Sequence, residues 1–581
     1  MKKFFPILIW GKNYSTDIFR DDVVAAIIIA MMLVPQSLAY ALLAGLPPQL
    51  GLYASILPLL IYAIFGTSST LSVGPFAISS IMTASALAAA FPDGNLANYL
   101  AGAAVLALFS GTFLLLFGLL RLGLLSNFLS FPVVSGFISA TAIVIIMSQF
   151  GNLLGLSNSG GSLLALVNGL LSQLGSINLY TVVVGVTSYV LLWLMPVCLK
   201  RLSIVVGIAE SWATFLSKAT PIIVIIVAIC SVQLFALDKQ GVAIVGTIPQ
   251  GLPTIQIAVW AGLEWDALAW KSLLTSAVLI SIIGFVSALS VAQSFAAKRR
   301  ERIDPNQEAV GLGMANLAAG ISGAFPLFAS LSRSAVSFNA GARTPAAGAF
   351  GAIGVGVTAM FFTSVLYFLP IATLAAMIIL AVTSLVDFDA MRRTWRYSRQ
   401  DFAAWLLTVV ITLAQGVELG LICGVILAIA LHLYNSSNPH IAVLGKVAGT
   451  EHFRNVDRHA VEQCEEFVSF RLDESLYFAN ARFLEDKVNA LVAQHPCAKH
   501  FVLLCSAINK IDSTGLESLG AINQQLLEAG IKFHLSEVKG PVLDRLKQTD
   551  FLARLSGNIY LSHYQAWTNL AKSDARKRTN H

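Results

Sequence analysis

Between about Asp22 and Leu433 the chain is a succession of apolar stretches, most of them roughly 15 to 25 residues long and broken by Gly and Pro, and nothing else in it constrains the fold so strongly. A helix needs about 20 such residues to cross the hydrocarbon layer, so the pattern predicts a polytopic α-helical membrane protein. Composition agrees: of 581 residues 56% are hydrophobic and 12% charged, with mean hydropathy +0.75, too few charges to cover a soluble surface. From about Pro439 the residues mix as in a soluble domain. The reading is therefore a membrane domain over 1–437, a soluble α/β domain over 438–572, and a disordered basic tail over 573–581.

About fourteen spans can be drawn, near 22–43, 51–66, 75–90, 98–120, 130–155, 178–199, 219–237, 270–297, 306–323, 331–342, 346–369, 371–385, 401–416 and 418–437. Those starting at Pro75 and Leu331 are too short to cross alone. Half-length spans persist only where protein or a water-filled cavity satisfies their backbone, which is the broken-helix pattern of transporters. The basic residues orient the chain: Arg121, then Lys200, Arg201 and Lys218, then Lys298–Arg302, then Arg392, Arg393, Arg396 and Arg399 all follow even-numbered spans. Lys239 and Lys271 are the exceptions, and the bias predicts both termini in the cytoplasm. The formal net charge of +6 comes largely from these loops and the tail, so no nucleic-acid partner is inferred.

Sliding the two membrane halves over each other aligns Gly51-Leu52 with Gly311-Leu312, Gly66 with Gly323, and Pro75 with Ser332. Seven spans per copy is an odd number, so copies over about 20–237 and 270–437 must be inverted. In such an arrangement two half-helices meet N-terminus to N-terminus, each offering unpaired N–H groups and about half a positive charge. One would start at Val73-Gly74-Pro75-Phe76, the other at Ser330-Leu331-Ser332-Arg333-Ser334. An arginine at membrane depth is costly and usually faces a cavity, so Arg333 and its hydroxyl neighbours are the candidate anion site.

The residues Val34-Pro35-Gln36-Ser37-Leu38-Ala39-Tyr40-Ala41, Ser72–Phe76, Gly284-Phe285, Val291–Ala296, Asp304-Pro305-Asn306-Gln307-Glu308 and Leu331–Ser334, in that order, resemble the sulfate permease (SulP) family, equivalent to solute carrier family 26. The resemblance implies fourteen spans in two inverted repeats, divided into core and gate domains, and elevator-like secondary transport of an inorganic anion. Sulfate is the first expectation, with bicarbonate, chloride, a dicarboxylate, an anion channel or a signalling role as alternatives. It also implies an inner or plasma membrane, a homodimer and a partner protein for the soluble domain. By position the anion would meet Gln36, Tyr40, Gly74, Phe76, Ser287, Ser332, Arg333 and Ser334. Relatives often carry an acid where Ser287 stands, linked to symport with a proton or sodium ion; its absence puts acid-dependent coupling in doubt. No cofactor is implied.

In the soluble part, strands at Phe467–Leu472, Phe501–Cys505 and Lys532–Ser536 alternate with helices at Arg482–Gln494, Ser513–Leu527 and Pro541–Gln548. The turn Lys510–Leu516 resembles the STAS fold, in whose soluble relatives a hydroxyl is phosphorylated, which makes Ser513 or Thr514 a candidate regulatory site. His495, His534 and His563 have no triad or metal spacing, six cysteines are scattered, and no nucleophile–base set is visible, so neither an enzyme nor structural disulfides are expected. The first residues hold too short an apolar run for a cleaved leader.

Overall fold

The structure, a computed structural model, describes residues 5–123, 130–156, 163–205, 217, 219–253 and 267–578. Lys218 of the expected basic loops and the last three residues of the tail lie outside these. The chain divides into two compact units, Met1–Ala428 and Ile429–His581. The division falls inside a helix, before the expected boundary at 437.

In the first unit every expected span is helical. The helices are α1 (Thr16–Leu43), α2 (Gln49–Tyr53), α3 (Leu57–Phe65), α4 (Ala77–Ala90), α5 (Leu96–Leu119), α6 (Phe131–Leu154), α7 (Leu163–Ser172), α8 (Leu179–Val205) and α9 (Thr220–Leu234). A second set follows: α10 (Ala267–Arg299), α11 (Pro305–Ile321), α12 (Leu331–Asn339), α13 (Ala346–Val357), α14 (Ile371–Thr383), α15 (Phe388–Tyr397), α16 (Arg399–Gln415) and α17 (Val417–Ser437). Eight helices among the described residues are long and apolar enough to cross a membrane.

Four differences from the sequence reading have physical causes. The span expected at 51–66 is broken into α2 and α3, because Ile56 leaves helical geometry and Pro58 starts a new first turn. The first half-helix begins at Ala77 rather than Pro75, since Val73-Gly74 is held extended as strand β1 against Phe328-Ala329 of β2, while the second begins at Leu331 as expected. Two helices went unpredicted: α7, ten residues long, and α15, read as a basic loop. In α15 only Ala390 and Thr394 are buried, so its apolar face is too narrow to show as a span.

β1 and β2 pair antiparallel, Val73 opposite Ala329 and Gly74 opposite Phe328. The half-helices that follow them, 14 and nine residues long, therefore leave the crossing in opposite directions, as an inverted repeat requires. α1 passes this crossing with Pro35 in its interior. Proline cannot donate to the carbonyl four residues back, so the helix is weakened one residue before Gln36.

The second unit is a six-stranded sheet. Its strands are β3 (Ile441–Lys446), β4 (Phe453–Asn455), β5 (Phe467–Leu472), β6 (His500–Leu504), β7 (Lys532–Ser536) and β8 (Ile559–Tyr560), in the order β4-β3-β5-β6-β7-β8. β5 to β8 run parallel and β3 is antiparallel to both its neighbours. Alternate residues feed two cores: Phe501, Leu503 and Phe533 one, Val502, Leu504 and Tyr560 the other. Burial on both faces explains the uninterrupted apolar run in β6. The helices are α18 (Ala481–Gln494), α19 (Ser513–Glu528), α20 (Gly540–Leu546), α21 (Phe551–Arg554) and α22 (His563–Arg578). In the last, Ala566 and Trp567 bury against the sheet, and the helix backbone runs on to Arg578 within the expected tail.

Two histidines that sequence spacing left idle are buried between α22 and the sheet. The Asn558 N–H donates to His534 Nδ1 at 2.9 Å, His534 Nε2 lies 3.1 Å from His500 Nδ1, and His563 Nδ1 lies 2.7 Å from Ser536 Oγ. Burial pushes both His534 and His563 down from 6.5 to about 4, with His500 and Lys532 adding to the effect on His534. The unfolded chain thus protonates first, so stability is complete above about pH 6.5 and is lost as the pH falls from there toward 4. Hydrogen exchange in β7 and the start of α22, corrected for intrinsic rate, should accelerate over that window. A rate independent of pH there would show that these imidazoles are already charged in the folded domain.

Candidate functional site

The crossing of β1 and β2 places Val73–Phe76 beside Ser330–Arg333. The two helix starts are alike: Phe76 and Ser330 are the N-caps, both extended, and neither side chain caps its helix. The first helical bonds run from the Ser80 N–H to the Phe76 carbonyl and from the Ser334 N–H to the Ser330 carbonyl, each at 2.9 Å. The N–H groups of 77–79 and 331–333 are therefore the uncapped ends that favour an anion.

Arg333 is 1% exposed. Its Nη1 donates to Gln36 Oε1 at 3.1 Å, while Nε and Nη2 have no acceptor. Buried polar atoms are normally paired, and an unpaired guanidinium edge is expensive. Gln36 is half-buried, and its amide oxygen is committed to the guanidinium. Tyr40, one turn further along α1, is 3% exposed and close enough to Arg333 for the two to interact electrostatically.

Gly74 has φ +148, and a side chain there would meet Leu33 and Arg333 Nη2 at 3.2 and 3.4 Å. Only glycine lets the strand pass this close. Gly284 on α10 does the same for the partner strand: a Cβ there would lie 2.3 Å from the Phe328 ring. Ser334 is fully buried and its hydroxyl accepts from the Ser72 N–H at 2.9 Å, bracing one strand against the opposite half-helix. Ser332 Oγ lies 3.1 Å from Ser330 Oγ.

A cavity of about 310 Å³ opens at the same crossing, with Phe76, Leu331 and Ser287 on its wall. Ser135, Ser290, Ser294, Ser384 and Asp387 complete the polar lining, and Ser287, Ser290 and Ser294 form a stripe along α10. Gln36, Tyr40 and Arg333 are not on this wall. Of the residues named from sequence, Phe76 and Ser287 thus face the cavity, Gln36, Tyr40 and Gly74 lie around the Arg333 guanidinium, and Ser332 and Ser334 do neither, bonding Ser330 and Ser72. Among the described residues no group of His, Cys, Asp or Glu could hold a metal ion.

Sequence reading gave no role to the buried polar residues of α11, the helix that holds the crossing together. On α11 the Glu308 carboxylate is fully buried and accepts from Tyr62 Oη, from the Thr67 N–H at 3.1 Å and from Thr67 Oγ1 at 2.5 Å. Eight residues on, the Asn316 side chain accepts from the Leu327 N–H and donates to the Leu327 carbonyl, both at 2.9 Å. One helix face therefore fixes the segments that lead into both β1 and β2. The signal was present: the argument that an ionisable residue at membrane depth needs a reason applies to Glu308 as it does to Arg333.

Residues 19–408 match the sulfate permease family, and 458–566 match the STAS domain. The chain belongs to the sulfate permease family. Among similar proteins, chloroplastic sulfate transporter 4.1 of Arabidopsis thaliana is 35% identical over 92% of this chain and 77% of its own length. A probable sulfate transporter of Mycobacterium tuberculosis is 33% identical over 95% of both chains. The structure of SLC26A9 superposes with TM-score 0.88 at 22% identity, covering 100% of this chain and 94% of that one. The transmembrane domain of the cyanobacterial bicarbonate transporter BicA gives TM-score 0.60 at 20% identity, over 71% of this chain and 98% of that one. This sulfate permease family member is thus a multi-pass membrane protein with a STAS domain. In the latter Asp512 caps α19, accepting from the Gly515 N–H at 2.8 Å and the Phe478 N–H at 2.9 Å, and leaves Ser513 and Thr514 exposed.

Proposed function

We propose that the protein is a secondary active carrier of inorganic anions, with sulfate its principal substrate. The observation that carries this is the buried Arg333 edge without an acceptor, set between two uncapped half-helix N-termini. Two helix ends at roughly half a charge each, with the full charge of the guanidinium, offer about two positive charges, which suits a divalent oxyanion. The names of the sulfate transporters similar to this chain support the same substrate. Gln36 and Tyr40 hold the guanidinium, the N–H groups at 77–79 and 331–333 with Ser332 bind the anion, and Phe76 and Ser287 line its way out. Ser334 and Gly74 keep the strands in place.

In this reading the core carrying the half-helices moves past the gate domain as an elevator. The protein works as a homodimer in the inner or plasma membrane with both termini cytoplasmic. Its STAS domain takes a protein partner and is regulated at Ser513 or Thr514. With Ser287 where an acid would serve coupling, the anion itself completes the charge balance at Arg333.

The test is initial-rate uptake of radiolabelled sulfate, bicarbonate and fumarate by purified protein in vesicles, under imposed proton and sodium gradients in turn. Saturable sulfate uptake, inhibited by unlabelled sulfate and driven by one gradient, is expected. Uptake of bicarbonate or fumarate alone would replace the substrate, and an unsaturated anion current would replace the carrier by a channel.

A further inference from the structure

α15 is an amphipathic helix whose chemistry the anion site does not use. It closes the candidate membrane span Ile371–Tyr397 that α14 begins, and its three arginines, Arg392, Arg393 and Arg396, suit the edge of a hydrocarbon layer and not its interior. Ala390 and Thr394, one turn apart, are its buried residues, and it packs on α6 and α16. Phe388, Trp395 and Tyr397 are 62%, 45% and 92% exposed. Arg392 and Arg396, four residues apart, share one stripe of α15 directly beside the Phe388–Trp395 stripe, and Arg399 opens α16 just beyond the extended Ser398. The Arg399 guanidinium stacks 3.5 Å over the Trp395 ring. No carboxylate among the described residues pairs with Arg392, Arg396 or Arg399. Asp387 is 3.7 Å from Arg393, while Asp389 and Asp401 lie in the first turns of α15 and α16.

An aromatic stripe flanked by arginines is what the boundary of an anionic membrane selects: the rings sit at headgroup depth and the guanidiniums reach phosphate oxygens. We propose that α15 docks the headgroups of anionic phospholipids in the leaflet it borders, and that this contact bears on the anion pathway through Asp387. That residue joins the two regions. Its carboxylate caps α15, accepting from the Ala390 N–H at 2.7 Å, meets Arg393, and stands on the wall of the cavity lined by Phe76 and Ser287. A lipid that fixes α15 therefore fixes one rim of the cavity.

The docking is tested on the full-length protein in vesicles of phosphatidylcholine with a quarter phosphatidylglycerol, one or the other brominated. The Trp395 signal is isolated by difference from Trp395→Phe. Brominated phosphatidylglycerol should quench Trp395 more strongly than brominated phosphatidylcholine at the same mole fraction. Each arginine near the surface contributes about fivefold in lipid preference, so Arg392→Gln/Arg396→Gln/Arg399→Gln should remove most of it. Equal quenching by both lipids, or a preference that survives the triple change, overturns the proposal. So does protection by soluble glycerol phosphate at millimolar level, which would mean a free phosphate site in place of a membrane surface.

The link to the cavity rests on the anion-carrier reading above and is measured separately, as sulfate uptake. In phosphatidylglycerol vesicles the triple variant should fall severalfold, to the rate the unaltered protein shows in phosphatidylcholine alone, where variant and parent should agree. Parent uptake independent of lipid charge overturns the link. The quenching arm needs no transport, so a failure of the carrier reading and a failure of the docking give different results.

Discussion

Replacing Arg333 with alanine should lower the apparent affinity for sulfate by about ten- to a hundredfold, measured as the concentration dependence of initial uptake in vesicles. A charge-assisted hydrogen bond contributes about 1.5–3 kcal/mol, which corresponds to that range. The guanidinium is 1% exposed, with Nε and Nη2 free of acceptors, so the anion is the partner that would complete it. Arg333→Lys should recover part of the loss, since it keeps the charge but not the planar fork. Because the side chain makes a single hydrogen bond, to Gln36, and its removal also removes a buried charge, the alanine variant should still insert and elute as a single species. Unchanged uptake in a well-folded variant would remove the anion site from this crossing.

Glu308→Ala should act on the fold instead. Its fully buried carboxylate is the shared acceptor of Tyr62 Oη, the Thr67 N–H and Thr67 Oγ1. Removing it leaves one buried and two half-buried donors without that partner, for which the expected cost is about 3–5 kcal/mol. The apparent midpoint of thermal unfolding in detergent should drop by many degrees, and the yield of monodisperse protein should fall with it. Glu308→Gln, which keeps one acceptor oxygen, should lie between. A midpoint within a degree or two of the parent would show that the segment between α3 and β1 is fixed by something other than this carboxylate.

Much of this was legible in the sequence, for reasons that differ from part to part. The spans were readable because a bilayer imposes a length, and the repeat because Gly51-Leu52 and Gly66 recur as Gly311-Leu312 and Gly323 ahead of the two half-helices. Arg333 was readable because a charge at membrane depth needs a reason. α15 was not, since two buried residues leave no periodic apolar face, and arginines between spans look like a loop. The short strands β4 and β8, three and two residues long, were missed because they carry too little pattern to register.

Glu308 and Asn316 were overlooked for another reason. A motif can be matched without asking what each buried polar group bonds to, and their partners Tyr62, Thr67 and Leu327 are distant in sequence or outside any motif. The same holds for Gly284, whose need to be glycine exists only because the Phe328 ring lies against it.

By itself, then, the sequence determined that apolar helices build the first unit and an α/β domain the second, and the residue types that an anion site can use. Those follow from chain length against bilayer thickness and from the cost of placing charge in hydrocarbon. Only the tertiary structure decided which candidates face the cavity and which hold the guanidinium, that Ser334 braces a strand, and that α11 pins both approaches to the crossing. These depend on contacts between residues some 250 positions apart, such as Gly74 against Phe328, and local sequence carries no record of such a register.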